Sequence, residues 1–228
     1  MVPMSNPVKA QRSAQPSRRY DSPVRRERAL ETERRILAAA ETAFAENGYV
    51  GTSLDTIANA AGVNPRTVYK VFGTKVRLLS RLVDVSMVGD QSAVPVARRS
   101  WALDAFQAPT GVERVAAFAA ATRRVMQSAG AVFRTAAQAA VADPDAAALW
   151  RLGQDRRQQD AATFVAALHD ASQLRSDRTP DEATASVWLL TSPETYLQMT
   201  HGLAWGLAQY EQWLRQSMFD LLLGHEAV

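Results

Sequence analysis

The chain has no cysteine among its 228 residues, so neither a disulfide bond nor a thiolate metal site can form. Its three histidines, His169, His201 and His225, show no metal-ligand spacing with Asp or Glu. No run approaches the roughly 18 apolar residues that a membrane helix needs. The polar, basic start also lacks the apolar segment of a secretion signal. We therefore expect a cytoplasmic protein with no metal, no cofactor and no membrane partner.

Two signatures of catalysis are missing as well. No glycine-rich phosphate loop follows a strand pattern, and no serine stands in an arrangement with His and Asp. Gly202 and Gly206 have GxxxG spacing, but their polar surroundings disfavour association inside a membrane. We therefore expect that the protein is not an enzyme.

Basic charge is concentrated in the first part of the chain. Residues 1–90 carry 14 Lys or Arg and 9 Asp or Glu, whereas residues 91–228 carry 12 and 14. Residues 1–28 contain seven of the basic residues, two acidic ones and four prolines, a composition that favours disorder. We predict a disordered basic arm over 1–28. It is either a leader without function or a segment that follows the DNA backbone or enters a minor groove.

From about residue 29 onward, helix signals dominate and no strand-like alternation competes with them. The pair Asn47-Gly48 ends a first helix, and Thr52 and Asp55 have the spacing of a capping box at the start of a second. Gly62 allows a sharp turn, after which Asn64-Pro65 supplies the N-cap and first residue of a short third helix. Helices joined in this way match a helix-turn-helix.

The short third helix has two different faces when its residues are spaced at about 100° each. The apolar face, which we expect to be buried, consists of Val68, Val71 and Phe72. The opposite face carries hydrogen-bond donors, namely Arg66, Thr67 and Lys70, with Tyr69 on its flank. Such a helix fits a DNA major groove, where its first residues read bases. The same pattern also fits an ordinary three-helix domain with one solvated face.

Residues 32–82 resemble the N-terminal domain of the TetR (tetracycline-repressor) family of bacterial regulators. The matching elements, in order, are RRILAAAETAFAENGY, the helix start at Thr52, IANAAGV, TVYKVF and Lys75. The resemblance implies an all-helical homodimer whose second and third helices bind DNA. Two positions depart from the family pattern. Arg66 stands where glycine is common, which implies a different base preference, and Val71 stands where an aromatic residue is common.

The DNA contacts predicted from the helix geometry and the resemblance together are Thr52, Ser53, Asn64, Pro65, Arg66, Thr67, Tyr69, Lys70 and Lys75. Beyond residue 90, capping signals at 110–113, 143–144, 179–182 and 192–194 and wide, alanine-rich stripes predict a helix bundle. The resemblance is only architectural over 91–178. Over 191–223 it is closer, and it implies helices that pair with those of a second copy.

Six aromatic residues and one methionine of the bundle are candidates for an apolar effector pocket, although each also fits an ordinary core position. They are Trp101, Phe118, Met126, Phe133, Trp150, Phe164 and Trp188. The residues predicted at a dimer interface are Trp188, Tyr210, Trp213, Leu214, Met218 and Leu221.

The sequence thus predicts an all-α protein with an arm over 1–28, a helix-turn-helix DNA-binding domain over 29–75 and a larger helical domain for effector binding and dimerisation over 76–228. The predicted function is transcriptional regulation. In this reading the chain is a repressor that a small-molecule effector releases from a palindromic double-stranded DNA operator. The alternative is a helical protein-interaction module that does not read DNA sequence. Sequence-selective binding to a palindrome separates the two.

Overall fold

A computed structural model describes residues 23–88 and 100–223, and within these ranges every regular element is a helix. The helices are α1 (Pro23–Gly51), α2 (Leu54–Ala60), α3 (Pro65–Phe72), α4 (Lys75–Val88), α5 (Ser100–Gln107), α6 (Gly111–Ala142), α7 (Pro144–Asp170), α8 (Pro180–Leu190), α9 (Pro193–Leu197) and α10 (Leu207–Leu222). A π-helical segment, Gln198–Gly202, separates α9 from α10. None of the described helices combines the length and apolar character that a bilayer crossing requires. The all-α prediction is confirmed.

The first helix begins earlier than the sequence predicted. Residues 23–28 belong to α1 and are not part of an arm. Proline suits the first position of a helix, and the residues that follow are mostly Arg, Glu, Ala and Leu, which are strong helix formers. The remainder of the predicted arm, residues 1–22, lies outside the described residues.

Several helix starts follow the predicted capping chemistry. Thr110 and Glu113 form a reciprocal capping box at α6, and Thr179 and Glu182 form another at α8. Asp143 caps α7 by accepting hydrogen bonds from two backbone N–H groups. These contacts within a few residues of sequence determine where the long helices of the bundle begin.

Two hydrophobic clusters hold the chain together. The first joins α1 to α4 and also takes in Val132, Ala136 and Ala139 of α6 and Ala146 of α7. The second is built from α5 to α10. We call residues 23–74 the head and α4 to α10 the body. Because the core of the head includes residues of α6 and α7, head and body share one packed boundary.

The apolar stripe of α10 is used differently from the prediction. Tyr210, Leu214 and Met218 are fully buried inside a single chain, where α10 packs on α6 and α8. These three residues therefore have no surface to offer a second copy. The periodicity of a helix reports that a face is buried, but it does not report which helix covers that face.

Candidate nucleic-acid interface

The third helix lies as the sequence predicted at its start. Asn64 is the N-cap, since its Oδ1 accepts a hydrogen bond from the Arg66 backbone N–H at 2.9 Å, and Pro65 takes the first helical position. Val68 and Phe72 are buried in the head. The helix is thereby anchored along one face and leaves its opposite face to solvent.

The donors of α3 occupy that solvent face. Arg66 and Lys70 are exposed, Tyr69 is 49% exposed and Thr67 is half-buried. Val71, which we predicted to be buried, is also 49% exposed. It lies on the far side of Val68 from Phe72, beyond the arc of the helix that the head covers.

The start of α2 places the neighbouring pair, Thr52 and Ser53, in unlike surroundings. Ser53, not Thr52, is the N-cap, because its Oγ accepts a hydrogen bond from the Thr56 backbone N–H at 3.0 Å. Thr52 is only 2% exposed, and its hydroxyl lies within hydrogen-bond distance of the carbonyls of Gly48, at 2.7 Å, and Ala43, at 3.0 Å. The Thr52 side chain therefore holds the end of α1, whereas Ser53 remains on the surface.

Lys75 is likewise engaged inside the protein. Its Nζ donates to the carbonyls of Tyr49, at 2.7 Å, and Thr52, at 2.8 Å. The ammonium group also lies 4.1 Å from the centre of the Tyr49 ring. Burial lowers the pKa of Lys75, and the negative charge of Asp143 opposes that shift. The predicted contact of Lys75 with DNA remains a prediction, and it would compete with these two carbonyl bonds.

Arg35 of α1 supports the turn of the helix-turn-helix, a contact that sequence reasoning missed. Its Nη2 donates to the carbonyls of Ala61, at 2.5 Å, and Gly62, at 3.2 Å. Gly62 has φ of 63°, and a Cβ there would stand 2.9 Å from the same Nη2. The turn thus needs glycine for its backbone and for close approach of the arginine. No local pattern in the sequence distinguishes Arg35 from the arginine before it.

The segment from residue 56 to residue 83, which contains α3, carries only positive side-chain charges. No acidic residue occurs between Asp55 and Asp84, whereas that span contains Arg66, Lys70, Lys75, Arg77 and Arg81. Arg81 is paired with Glu33 across 2.6 Å, and Lys75 is engaged as described. The side chains of Arg66, Lys70 and Arg77 are exposed, so this segment presents positive charge that suits a polyanion.

Most of the residues predicted to line an effector pocket belong to the second hydrophobic cluster or pack against it, and their role in binding an effector remains a prediction. Phe118 stacks on the fully buried Phe164 with ring centres 4.1 Å apart. The guanidinium groups of Arg124 and Arg157 lie over the rings of Trp101 and Trp188. The other predicted residues, Met126, Phe133 and Trp150, belong to or pack against the same cluster.

Two concavities of about 420 and 290 Å³ lie where the head meets the body, between α1 and α6. Phe44, Ala45 and Thr135 line both of them, and neither is lined by a predicted pocket residue. The prediction selected large apolar side chains, and the packed core of a helix bundle consists of the same residue types.

The described helices and the solvent face of α3 define an all-helical protein with a helix-turn-helix head. Residues 36–82 match the family model described as bacterial regulatory proteins, tetR family. The chain therefore carries the helix-turn-helix domain of the tetR family, which confirms the resemblance found in its sequence. No curated protein sequence matches the chain.

Solved structures of regulators have the same fold over most of the chain. NalD from Pseudomonas aeruginosa, the secondary repressor of the MexAB-OprM multidrug efflux pump, is 18% identical with a TM-score of 0.64, over 86% of this chain and 99% of that one. The fatty acid degradation regulator FadR from Bacillus halodurans is 16% identical with a TM-score of 0.64, over 86% and 97%. The TetR family transcriptional regulator PfmR from Thermus thermophilus is 20% identical with a TM-score of 0.61, over 84% and 98%.

Proposed function

We propose that the chain is a sequence-specific DNA-binding transcriptional regulator that acts as a homodimer. The observation that carries this proposal is the division of α3 into two faces. Val68 and Phe72 fix the helix to the head, while Arg66 and Lys70 remain exposed on the other side. A helix held in this way can enter a major groove without unfolding any part of the head.

The side chains of α3 have distinct roles in this proposal. Arg66, at the start of the helix, reads a base edge, and guanine is the base that an arginine bonds bidentately. Thr67 can contact a thymine methyl or a phosphate. Tyr69 and Lys70 suit phosphate oxygens, with Ser53 at the start of α2 as a further phosphate contact.

In this proposal a second copy of the chain covers exposed apolar residues of α8 and of the segment that precedes α10. Leu189 in α8 and Leu203 before α10 are both 60% exposed. Trp205 and Trp213 are half-buried and pack edge to face with ring centres 6.1 Å apart. Of the interface residues predicted from sequence, Trp188, Trp213 and Leu221 retain some exposure, so they remain available to a second copy. A symmetric pair presents two copies of α3 to a palindromic site.

The proposal extends to regulation by a small molecule that binds the body and releases DNA. NalD is described as a repressor, which supports the same sign of regulation for this fold. An effector can act only if it binds the DNA-incompetent arrangement more tightly than the competent one. A coupling free energy of about 1–3 kcal/mol is typical of such systems.

Selection of bound sites from random DNA, with the full chain, tests the proposal. We expect a palindromic motif whose half-sites are separated by about one helical turn or a multiple. A pool without a motif, bound independently of sequence, would favour the helical interaction module instead. Repeating the selection with Arg66→Ala supplies a matched control, because the motif should then lose information at one position of each half-site.

A further inference from the structure

The head is divided by a joint between α1 and α2, which we define as residues 48–53. Gly48 breaks α1 with φ of 69° and ψ of 174°, a backbone conformation that favours glycine. The two helices of the DNA-binding motif, α2 and α3, follow the joint directly. Contacts that hold residues 48–53 in place therefore also determine the orientation of α2 and α3 relative to α1.

One side of the joint is held by α4. Lys75, the first residue of that helix, donates to two carbonyls within the joint, those of Tyr49 and Thr52. Its ammonium group also contacts the Tyr49 ring. The Thr52 hydroxyl ties the segment back to the carbonyls of α1.

The other side of the joint is held by the corner between α6 and α7. The Tyr49 hydroxyl donates to Asp143 Oδ2 at 2.7 Å, across 94 residues of sequence. The second carboxylate oxygen, Oδ1, accepts from the backbone N–H groups of Asp145, at 3.0 Å, and Ala146, at 3.4 Å. The Asp143 side chain therefore caps α7 and also binds Tyr49, a residue of the joint.

The donor and acceptor of this bond are well defined. The hydrogen bond from Tyr49 keeps the pKa of Asp143 below its ordinary value, so the carboxylate is ionised at neutral pH. Burial, followed by the Asp143 contact, raises the pKa of Tyr49, so the phenol keeps its proton. A charged acceptor makes this hydrogen bond stronger than one between neutral groups.

From this geometry we propose that Asp143 is a positioning residue for DNA binding, which sets the angle of α2 and α3 through its bond to Tyr49. The inference rests on the proposed function. Apolar contacts between head and body, such as those of Val132 and Ala146, are not directional. The Tyr49–Asp143 hydrogen bond is directional, as are the two bonds from Lys75, and it is the bond that ties the joint to the α6–α7 corner. A shift of the α6–α7 corner then changes the separation of the two recognition helices in a dimer.

Two variants remove the bond from opposite sides with little other change. Tyr49→Phe keeps the ring beneath Lys75 and deletes only the hydroxyl. Asp143→Ser keeps an N-cap residue for α7 but is too short to reach Tyr49. Asp155→Ser, at an exposed position of α7, removes the same charge and serves as the control.

The readout is preference for half-site spacing, since a purely structural role would leave it unchanged. Binding is measured on the motif selected by the wild-type chain and on versions with its half-sites one base pair closer or farther apart. We expect both bond-deleting variants to lose discrimination between spacings by about tenfold to a hundredfold, the value of one hydrogen bond to a charged group. The double variant should lose no more than either single variant. Base preference within each half-site, and the Asp155→Ser control, should match wild type.

Hydrogen exchange of the free chain gives a second readout that does not depend on DNA. Both variants should exchange faster over residues 49–60 and at wild-type rates over α8 and α10. Wild-type spacing discrimination or wild-type exchange over 49–60 in either variant would overturn the inference while leaving the proposed function in place. A wild-type chain that selects no motif would instead remove the proposed function, and the inference with it.

Discussion

The head and the body are both helical, but they differ in which side chains the fold leaves available. In the head, α3 buries two apolar residues and keeps Arg66 and Lys70 in solvent. In the body, the aromatic residues that looked suited to a ligand pack against one another, as Phe118 does on Phe164. A motif that binds DNA exposes its chemistry on a short helix. A bundle hides its most distinctive side chains, so residue type alone is a poor guide to a site there.

The largest expected effect is the difference in stability between a charge placed at a buried apolar position of the body and one placed at an exposed apolar position. Leu214→Glu places a carboxylate at a fully buried position and should destabilise the chain by several kcal/mol, since a buried charge has no partner there. Leu203→Glu changes a position that is 60% exposed, so that chain should fold normally but self-associate more weakly. Urea unfolding and sedimentation velocity measure the two effects. A stable, monomeric Leu214→Glu chain would show that α10 pairs between copies and not within one.

A smaller effect separates base reading from phosphate binding on α3. Arg66→Ala should cost about 1–3 kcal/mol of DNA-binding free energy and relax the preference at one base pair of each half-site. Lys70→Ala should weaken binding to all sequences alike and lower the slope of log affinity against log salt by about 0.9 for each lost phosphate contact. Competition binding against single-base variants of the selected site distinguishes them. Uniform losses in both variants would mean that Arg66 contacts only the backbone of DNA.

Two glycines should respond to alanine with opposite signs. Gly62→Ala should destabilise the head by about 1–2 kcal/mol, because its φ of 63° disfavours a Cβ and Arg35 stands in the way. Gly153 lies within α7, and nothing stands within 4 Å of a Cβ built there. Gly153→Ala should therefore stabilise the chain by about 0.5–1 kcal/mol through its helix propensity. Thermal unfolding compares the pair, and a destabilised Gly153→Ala chain would indicate a neighbour at that position, such as a second copy.

The smallest effect concerns the pH dependence of capping. The backbone N–H of Thr179, and then its hydroxyl, hold the pKa of Glu182 below its usual value of 4.5. Because the folded pKa is the lower one, the stabilisation is complete above the unfolded value and is lost as pH falls through the folded value. Glu182→Gln should be less stable than wild type at about pH 7, and the difference should shrink below about pH 4. The caps of α2 and α3, Ser53 and Asn64, carry no charge, so Ser53→Ala should give a pH-independent difference.

Much of the head could be predicted from sequence because its signals are local. Asn64 and Pro65 specify the start of α3 within two residues, and the spacing from Arg66 to Lys70 indicates the solvent face. The predictions were wrong where a contact between residues far apart in the sequence determines the role of a side chain. Thr52 and Ser53 fit an N-cap equally well by residue type, and the carbonyl of Ala43 takes the Thr52 hydroxyl. No local sequence pattern predicts the contact between the Lys75 ammonium group and Tyr49.

The body was predictable in its elements but not in its contacts. Thr110 and Thr179 marked helix starts that the structure bears out. The stripe through Tyr210 and Leu214 correctly indicated a buried face, yet it carries no information on whether α6 of the same chain or another copy covers it. The bond between Tyr49 and Asp143 joins residues 94 positions apart. Neither the tyrosine nor the aspartate has a sequence feature that predicts this bond.

The central claim is that two copies of the head read two halves of one site, and comparative affinity tests it most directly. Binding is measured at one fixed salt concentration on the selected site, on the same site with one half scrambled, and on unrelated DNA of equal length. We expect scrambling one half-site to weaken binding by about a hundredfold or more, since each mismatched base pair typically costs about 1–3 kcal/mol. Equal affinity for all three DNA molecules would contradict the account and identify the chain as a helical module that does not read sequence.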